Sequence, residues 1–149
     1  MISLRPVAQN DREIFVESSY GIYPEETLRR MLEDSIAGEH EGKYYRLFAV
    51  LNKDNCVGFI SLYEQEENAI SLGPEIKLQY RKQGVASAAM GQAMAYVKQM
   101  GFTKAVAQVR TDNIASIALH KKLGFQVRKE YVNKKGNPVF WLEKELYSE

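Results

Sequence analysis

The apolar positions of this chain fall into two rhythms. Short apolar-rich runs bounded by turn residues occupy residues 2–7 (ISLRPV), 44–51 (YYRLFAVL), 56–63 (CVGFISLY), 69–78 (AISLGPEIKL), 104–109 (KAVAQV), 125–131 (FQVRKEY) and 138–146 (PVFWLEKEL). These read as strands. Leu28, Met31, Leu32 and Ile36 show helical spacing instead, over a helix of residues 25–36 closed by Gly38. So do Val85, Ala89, Met90, Ala93, Met94 and Val97, over a helix of residues 85–100 closed by Gly101. Asn10 and Asp11 are placed to cap a helix through Ser18 that turns Ile14 and Phe15 inward. Thr111, Asp112 and Asn113 open another, running to Leu123 with Ile117, Ala118 and Leu123 inward and Gly124 beyond its end. Residues 52–55 (NKDN), 64–68 and 132–137 (VNKKGN) are turns, and residues 18–24, with Tyr20, Gly21, Tyr23 and Pro24, break the first two helices apart.

The order is therefore β-αα-βββ-α-β-α-ββ. It predicts one α/β (α+β) domain over residues 1–149, with a mixed, mostly antiparallel sheet of about seven strands and about four helices. KAVAQV is nearly all apolar, as a central strand buried on both faces should be, and Pro6 pushes the first strand towards an edge. No internal repeat, low-complexity segment or linker interrupts the chain.

Composition narrows the class. Of 149 residues, 45% are hydrophobic and 26% charged, which suits an ordinary globular protein with a core of its own. Cys56 is the single cysteine, so neither an intramolecular disulfide nor a cysteine zinc cluster is available, and a buried strand thiol is expected. No apolar run approaches the roughly 18 residues of a membrane span, and MISLRPVAQ lacks a signal-peptide pattern, so a cytoplasmic protein without membrane partners is the expectation. The net charge of +1 hides an asymmetry: residues 1–76 carry a net −7 and residues 77–149 a net +8. Two ligands of opposite sign would explain it, an anion on the second half and a cation on the first. Nucleic acid is not expected, because the basic residues are scattered without aromatic interleaving. No His, Asp or Glu cluster has metal-ligand spacing, so no metal is expected.

The chemistry concentrates in residues 69–91 (AISLGPEIKLQYRKQGVASAAMG). A strand runs through a basic loop into a helix that starts with Gln83, Gly84, Val85 and Ala86, without a side-chain cap or a first-turn acid. Arg81 and Lys82 precede it. Free N–H groups, small side chains and flanking cations make an anion site. The phosphate-loop pattern GxxxxGK[ST] is absent. The dinucleotide pattern GxGxxG is matched only loosely by Gly84, Ala86 and Ala89, after three antiparallel strands and without an acid at the right distance.

A third pattern, R/Q-x-x-G-x-G/A, is met by Arg81, Gln83, Gly84 and Ala86. With it the chain resembles the GNAT superfamily of acyl-CoA-dependent N-acyltransferases. IKLQYRKQGVASAAM is similar to that family's pyrophosphate loop, and DNIASIALHKKLGFQV to its second signature, an Asn opening a helix that closes on Lys-Leu-Gly-Phe. The element order agrees along nearly the whole length. The resemblance implies an N-acetyltransferase that moves the acetyl group of acetyl-CoA to a primary amine, on a small molecule or a peptide or protein N-terminus, by direct attack in a ternary complex. A non-catalytic acyl-CoA-binding or regulatory module is the alternative. A longer acyl group or a hydroxyl acceptor would also fit the fold.

The resemblance further implies roles for individual residues. Backbone N–H groups from about Gln83 to Ser87, including Gly84, Val85 and Ala86, would bind the pyrophosphate, with Arg81 and Lys82 adding charge. Ile76, Lys77 and Leu78 would offer backbone groups to the pantetheine arm, and an N–H near Ile76 would polarise the thioester carbonyl. Asn113 is an N-cap, a cofactor contact, or both, and Ser116 lies on the same helix face. His120 stands where many members carry a Tyr that protonates the departing thiolate. It is either a general acid or sulfur contact, or a surface or pocket-lining residue without chemistry. Glu75 is the candidate base, its alternative being a surface acid or structural ion pair, with Glu17, Glu25 and Glu26 as other candidates. The early helices would build the acceptor pocket, where Tyr20, Tyr23 and Trp141 are either lining residues or, as aromatic residues more often are, part of the core. Family members are often dimers, so the resemblance leaves a homodimer open beside a monomer.

Overall fold

The chain forms, in order, β1 (Ile2–Pro6), α1 (Glu13–Val16), α2 (Glu25–Ala37), β2 (Glu39–His40), β3 (Lys43–Asn52), β4 (Asn55–Glu64), β5 (Ala69–Ile76), α3 (Val85–Gln99), β6 (Lys104–Arg110), α4 (Ile114–Lys122), β7 (Gln126–Val132) and β8 (Pro138–Glu145) in a computed structural model, which describes residues 1–146. The strands make one sheet in the order β1-β3-β4-β5-β6-β8-β7, with the two-residue β2 beside β3. All pairings are antiparallel except β5 with β6. The fold is the mixed, mostly antiparallel α/β arrangement expected, with β2 as an added short strand.

Each face of the sheet carries its own core. On one, α1 and α2 place Phe15, Leu28 and Leu32 over Leu47, Ala49 and Phe59. On the other, α3 lays its apolar stripe of Val85, Ala89, Met90, Ala93, Met94 and Val97 over Phe48, Ile60, Leu62, Ile70 and Leu72. Leu142, Phe125 and, from α4, Ile117 join this second core. The alanines of α3 bring its backbone close to the sheet, and the stripe is the one its spacing predicts.

Three local expectations are corrected. No continuous helix runs from Asn10 to Ser18. A 3-10 turn (Gln9–Asp11), the single-turn α1 and a second 3-10 turn (Ser19–Ile22) replace it. The reason is that Asp11 caps backwards: its carboxylate accepts from the Ala8 N–H at 2.7 Å and from the Arg5 guanidinium at 2.7 and 2.8 Å, tying the turn to β1. The third strand of the meander stops at Ile76 and not at Leu78, because Leu78–Tyr80 closes into a 3-10 turn. β6 is buried on both faces only in its first half. Gln108 and Arg110 are exposed, since α1 and α2 cover the other end of the sheet. Two smaller differences follow the same logic of nonlocal packing. Ala118 is exposed, and His120 is the buried residue of α4. Cys56 is half-buried, with its thiol directed to the Gly58 carbonyl at 3.3 Å.

Candidate active site

The sheet opens at its centre. β5 and β6 pair only through Ala69–Lys104, Ile70–Ala105 and Ser71–Val106. Beyond that, Leu72 to Ile76 keep their partners on β4, and Ala107 to Arg110 keep theirs on β8. The two strands therefore splay and leave a wedge edged by strand backbone. Gly58 holds the end of β5 on the β4 side: a Cβ there would stand 2.3 Å from the Glu75 carbonyl and 2.9 Å from the Ile76 Cα. The Lys77 N–H donates to the Val57 carbonyl at 2.8 Å and extends that attachment. Pro74 brings no N–H to either neighbour, which suits a strand that has lost one of them.

The loop that follows delivers α3 into the open end of the wedge. Lys82 (φ +62°) and Gly84 (φ +79°) are both left-handed, which bends the chain sharply and turns its N–H groups outward. Gly84 has no heavy atom within 4 Å of the position a Cβ would take, so the space over the helix start is open. The first backbone bond of the helix is Ala88 N–H to Gly84 carbonyl at 3.1 Å, and among the described residues the N–H groups of Gln83, Gly84, Val85, Ala86 and Ser87 have no acceptor. This is an uncapped N-terminus with small residues, able to hold an anion. Arg81 does more than add charge. Its Nε donates to the Ile76 carbonyl at 2.8 Å, joining the loop to the end of β5. Of the backbone groups expected to meet a pantetheine arm, the Ile76 carbonyl and the Lys77 N–H are thus already partnered, and Leu78 is on the exposed 3-10 turn.

Glu75 faces the α1/α2 side of the sheet, opposite Phe59. Its carboxylate accepts from the Ser19 N–H at 2.9 Å and from the Ser19 hydroxyl. A groove of about 150 Å³ joins this carboxylate to the loop, lined by Glu17, Ser18, Phe59, Glu75, Ile76 and Arg81 among others. The candidate base, the end of β5 and the first residues of the anion loop therefore meet in one place. Glu25 and Glu26 lie outside the groove, held by Arg12 and by Arg29 and Arg30. Trp141 is on β8, opposite Gln108, with β6 between it and β5, and lines neither groove on the α1/α2 face.

On α4, the Asn113 side-chain oxygen accepts from the Ser116 N–H at 3.1 Å, so its N-cap role is filled. Ser116 and His120 follow on the same helix face. His120 is 2% exposed and packs edge-on against Phe125, with ring centroids 5.0 Å apart. Its Nδ1 lies 2.7 Å from the Ser116 carbonyl, which can only accept, so Nδ1 carries a proton. Nε2 is buried without a partner. Burial pushes the His120 pKa down, against a weaker upward pull from the Ser116 carbonyl. The ring is therefore neutral, and Nε2 is an acceptor. His120 lines neither of the grooves on the α1/α2 face.

Sequence reasoning missed Ser19 and the part played by Gly58. A glycine inside a strand does signal close backbone approach, so Gly58 was findable. Ser19 gave no signal, because it meets Glu75 across 56 positions of sequence. Among the described residues no group of His, Cys, Asp and Glu is arranged to hold a metal ion, and no helix is long and apolar enough to cross a membrane.

A family model described as an acetyltransferase (GNAT) domain matches residues 2–126, most of the chain. The chain belongs to that family and is an acyltransferase. Several solved structures share its fold. A chimera of the Vibrio cholerae spermidine N-acetyltransferase and hSSAT superposes with a TM-score of 0.82 at 18% identity, over 97% of this chain and 96% of that one. An N-acetyltransferase from Staphylococcus aureus gives 0.80 at 16%, over 99% of each. The PaiA N-acetyltransferase of Thermoplasma acidophilum, solved with coenzyme A, gives 0.73 at 18%, over 97% and 99%. At these identities the likeness establishes the fold alone. No curated protein matches the chain in sequence.

Proposed function

We propose that this protein is an acetyl-CoA-dependent N-acetyltransferase acting on a primary amine in a ternary complex. The splayed β5/β6 pair beside an uncapped α3 carries this reading. Strand backbone without a neighbour and five N–H groups without a protein acceptor lie side by side, open to a ligand that carries matching groups. Acetyl-CoA offers what both parts lack, amide groups for the strand edge and a pyrophosphate for the helix start. The residues assigned to the pyrophosphate are Gln83, Gly84, Val85, Ala86 and Ser87 through their N–H groups, with Arg81 and Lys82 adding charge. Ile76, Lys77 and Leu78 remain the proposed contacts along the arm, and Asn113 and Ser116 the proposed contacts from α4.

In the reaction Glu75 takes a proton from the ammonium form of the acceptor. The neutral amine nitrogen attacks the thioester carbonyl. A C–N bond forms, the C–S bond breaks, the nitrogen sheds a second proton as it becomes an amide, and the departing sulfur takes one up, so the two transfers balance. His120 is the proposed donor of that proton. The free protein sets a condition on this role, since Nε2 must gain a proton against the burial that disfavours it. As the single cysteine, Cys56 makes no intramolecular disulfide, which fits the reducing cytoplasm we propose as the compartment. A homodimer is proposed on family resemblance only, and size-exclusion chromatography tests it.

Thermal shift with CoA and with NAD tests the ligand. CoA should stabilise the protein and NAD should not, and the reverse result would sink the assignment. Glu75→Gln should lower kcat by about 100-fold, a typical general-base contribution, while CoA still stabilises the variant. Free-thiol release from acetyl-CoA over a panel of amines reads it. Silence across the panel in a protein that binds CoA would favour the alternative, a non-catalytic acyl-CoA-binding module.

A further inference from the structure

A second groove lies on the α1/α2 face and has no part in the chemistry above. It measures about 300 Å³ and is lined by Tyr20, Tyr45, Ser61 and Tyr63, with Asp34 and His40 among its remaining walls. It continues the first groove along the sheet. Phe59 lines the first groove, and Ser61 and Tyr63 line the second. These three residues alternate along one face of β4, and their partners on β5 are Glu75, Gly73 and Ser71. From Phe59 to Tyr63 the strand advances about 14 Å. Tyr20 stands at the junction, next in sequence to Ser19, which binds Glu75, and with its ring 5.0 Å from that of Phe59.

The walls and the far end differ in chemistry. Tyrosine rings suit a methylene chain and also an organic cation over their faces. The His40 ring lies 5.9 Å from both the Tyr45 and the Tyr63 rings. Its Nδ1 pairs with Asp34 Oδ2 at 2.7 Å, and its Nε2 with Glu41 Oε1 at 2.8 Å. Asp34 Oδ1 has no hydrogen-bond partner among the described residues. The two grooves, neighbours along one face of β4 and β5, thus offer a carboxylate in the first (Glu75), aromatic rings in the second, and at its far wall a second carboxylate, Asp34, with an oxygen to spare. It also lies on the half of the chain whose net charge is −7.

We infer that the acceptor is an aliphatic diamine. One amine reaches Glu75, the methylene chain lies along Tyr20, Tyr45 and Tyr63, and the distal ammonium rests on Asp34. This deepens the acetyltransferase reading and depends on it. The covalent step is unchanged: one nitrogen is acetylated, and the other only binds.

The test compares hexamethylenediamine with hexylamine, which differ only in the distal ammonium. Thiol release gives kcat/KM for each, and calorimetric titration in the presence of CoA gives binding without turnover. The diamine should be preferred about fivefold in both, the scale of a half-exposed ion pair. In Asp34→Asn the preference should fall to about one, through KM for the diamine, in a protein shown by CoA-induced stabilisation to be folded. Equal use of the two amines, or a preference undiminished in Asp34→Asn, overturns the diamine assignment and leaves the acetyltransferase reading standing. No thiol release with any amine, together with no stabilisation by CoA, overturns both.

Discussion

At the scale of single residues, the two side chains proposed for the chemistry sit in different environments. Glu75 is held from one side by Ser19, through both its N–H and its hydroxyl. In the proposed role of base, a carboxylate held this way keeps its orientation while an acceptor binds. Ser19→Ala removes the hydroxyl bond and should lower kcat roughly tenfold or more, the worth of a hydrogen bond to a charged group, with KM for acetyl-CoA unchanged. Steady-state kinetics checks it. His120 is the opposite case, a neutral ring with an acceptor nitrogen inside the core. Its pKa in the folded chain lies below the ordinary 6.5, chiefly through burial. The unfolded chain therefore takes up the proton first as pH falls. The stability due to neutral His120 is present above 6.5 and is lost progressively below it. Melting temperature against pH should decline on the acid side of that value in the native protein and less steeply in His120→Leu.

At the scale of elements, the decisive feature is how β5 ends. Gly58 lets the strand end press against β4, Lys77 extends that attachment, and Arg81 ties the next loop to Ile76. The strand is thereby drawn to one neighbour and separated from the other, and the wedge follows. α3 then starts in the open end because Lys82 and Gly84 turn the chain there. Gly84→Glu places a carboxylate over the free N–H groups and a side chain on a left-handed residue. It should abolish stabilisation by CoA, read by thermal shift, at a cost to the fold of about 1–2 kcal/mol. A folded variant that CoA still stabilises would remove the anion role from this loop.

At the scale of the whole molecule, charge is divided in the sense that the two proposed ligands would favour. The half of the chain bearing the anion loop is basic, and the half bearing Glu75 and the tyrosine-lined groove is acidic. Attraction of this kind is screened over about 10 Å at 0.1 M salt. Raising ionic strength should therefore weaken both CoA binding and use of a cationic acceptor, and titrations at two salt concentrations check it. An uncharged control ligand for either site should show no such dependence.

The sequence determined the parts that are local. Apolar spacing placed α3 with its whole buried face and α2 with Leu28 and Leu32 inward, though Ile36 is exposed and Ser35 is buried in its stead; turn residues bounded the strands, and the run from Arg81 to Ala86 marked an uncapped helix start, because small residues and missing caps are visible without a partner. The motifs also carried the family. The first helix is broken into turns because Asp11 bonds backwards to Ala8 and Arg5, and on α4 Ile117 and Leu123 pack inward as their spacing predicts while His120, and not Ala118, is buried. Only tertiary structure joined Ser19 to Glu75, set the splay of β5 from β6, and brought Asp34, His40 and three tyrosines into one groove. Those contacts link residues far apart in the chain. Their geometry is fixed by how the sheet and its two layers of helices pack, and no local pattern encodes it.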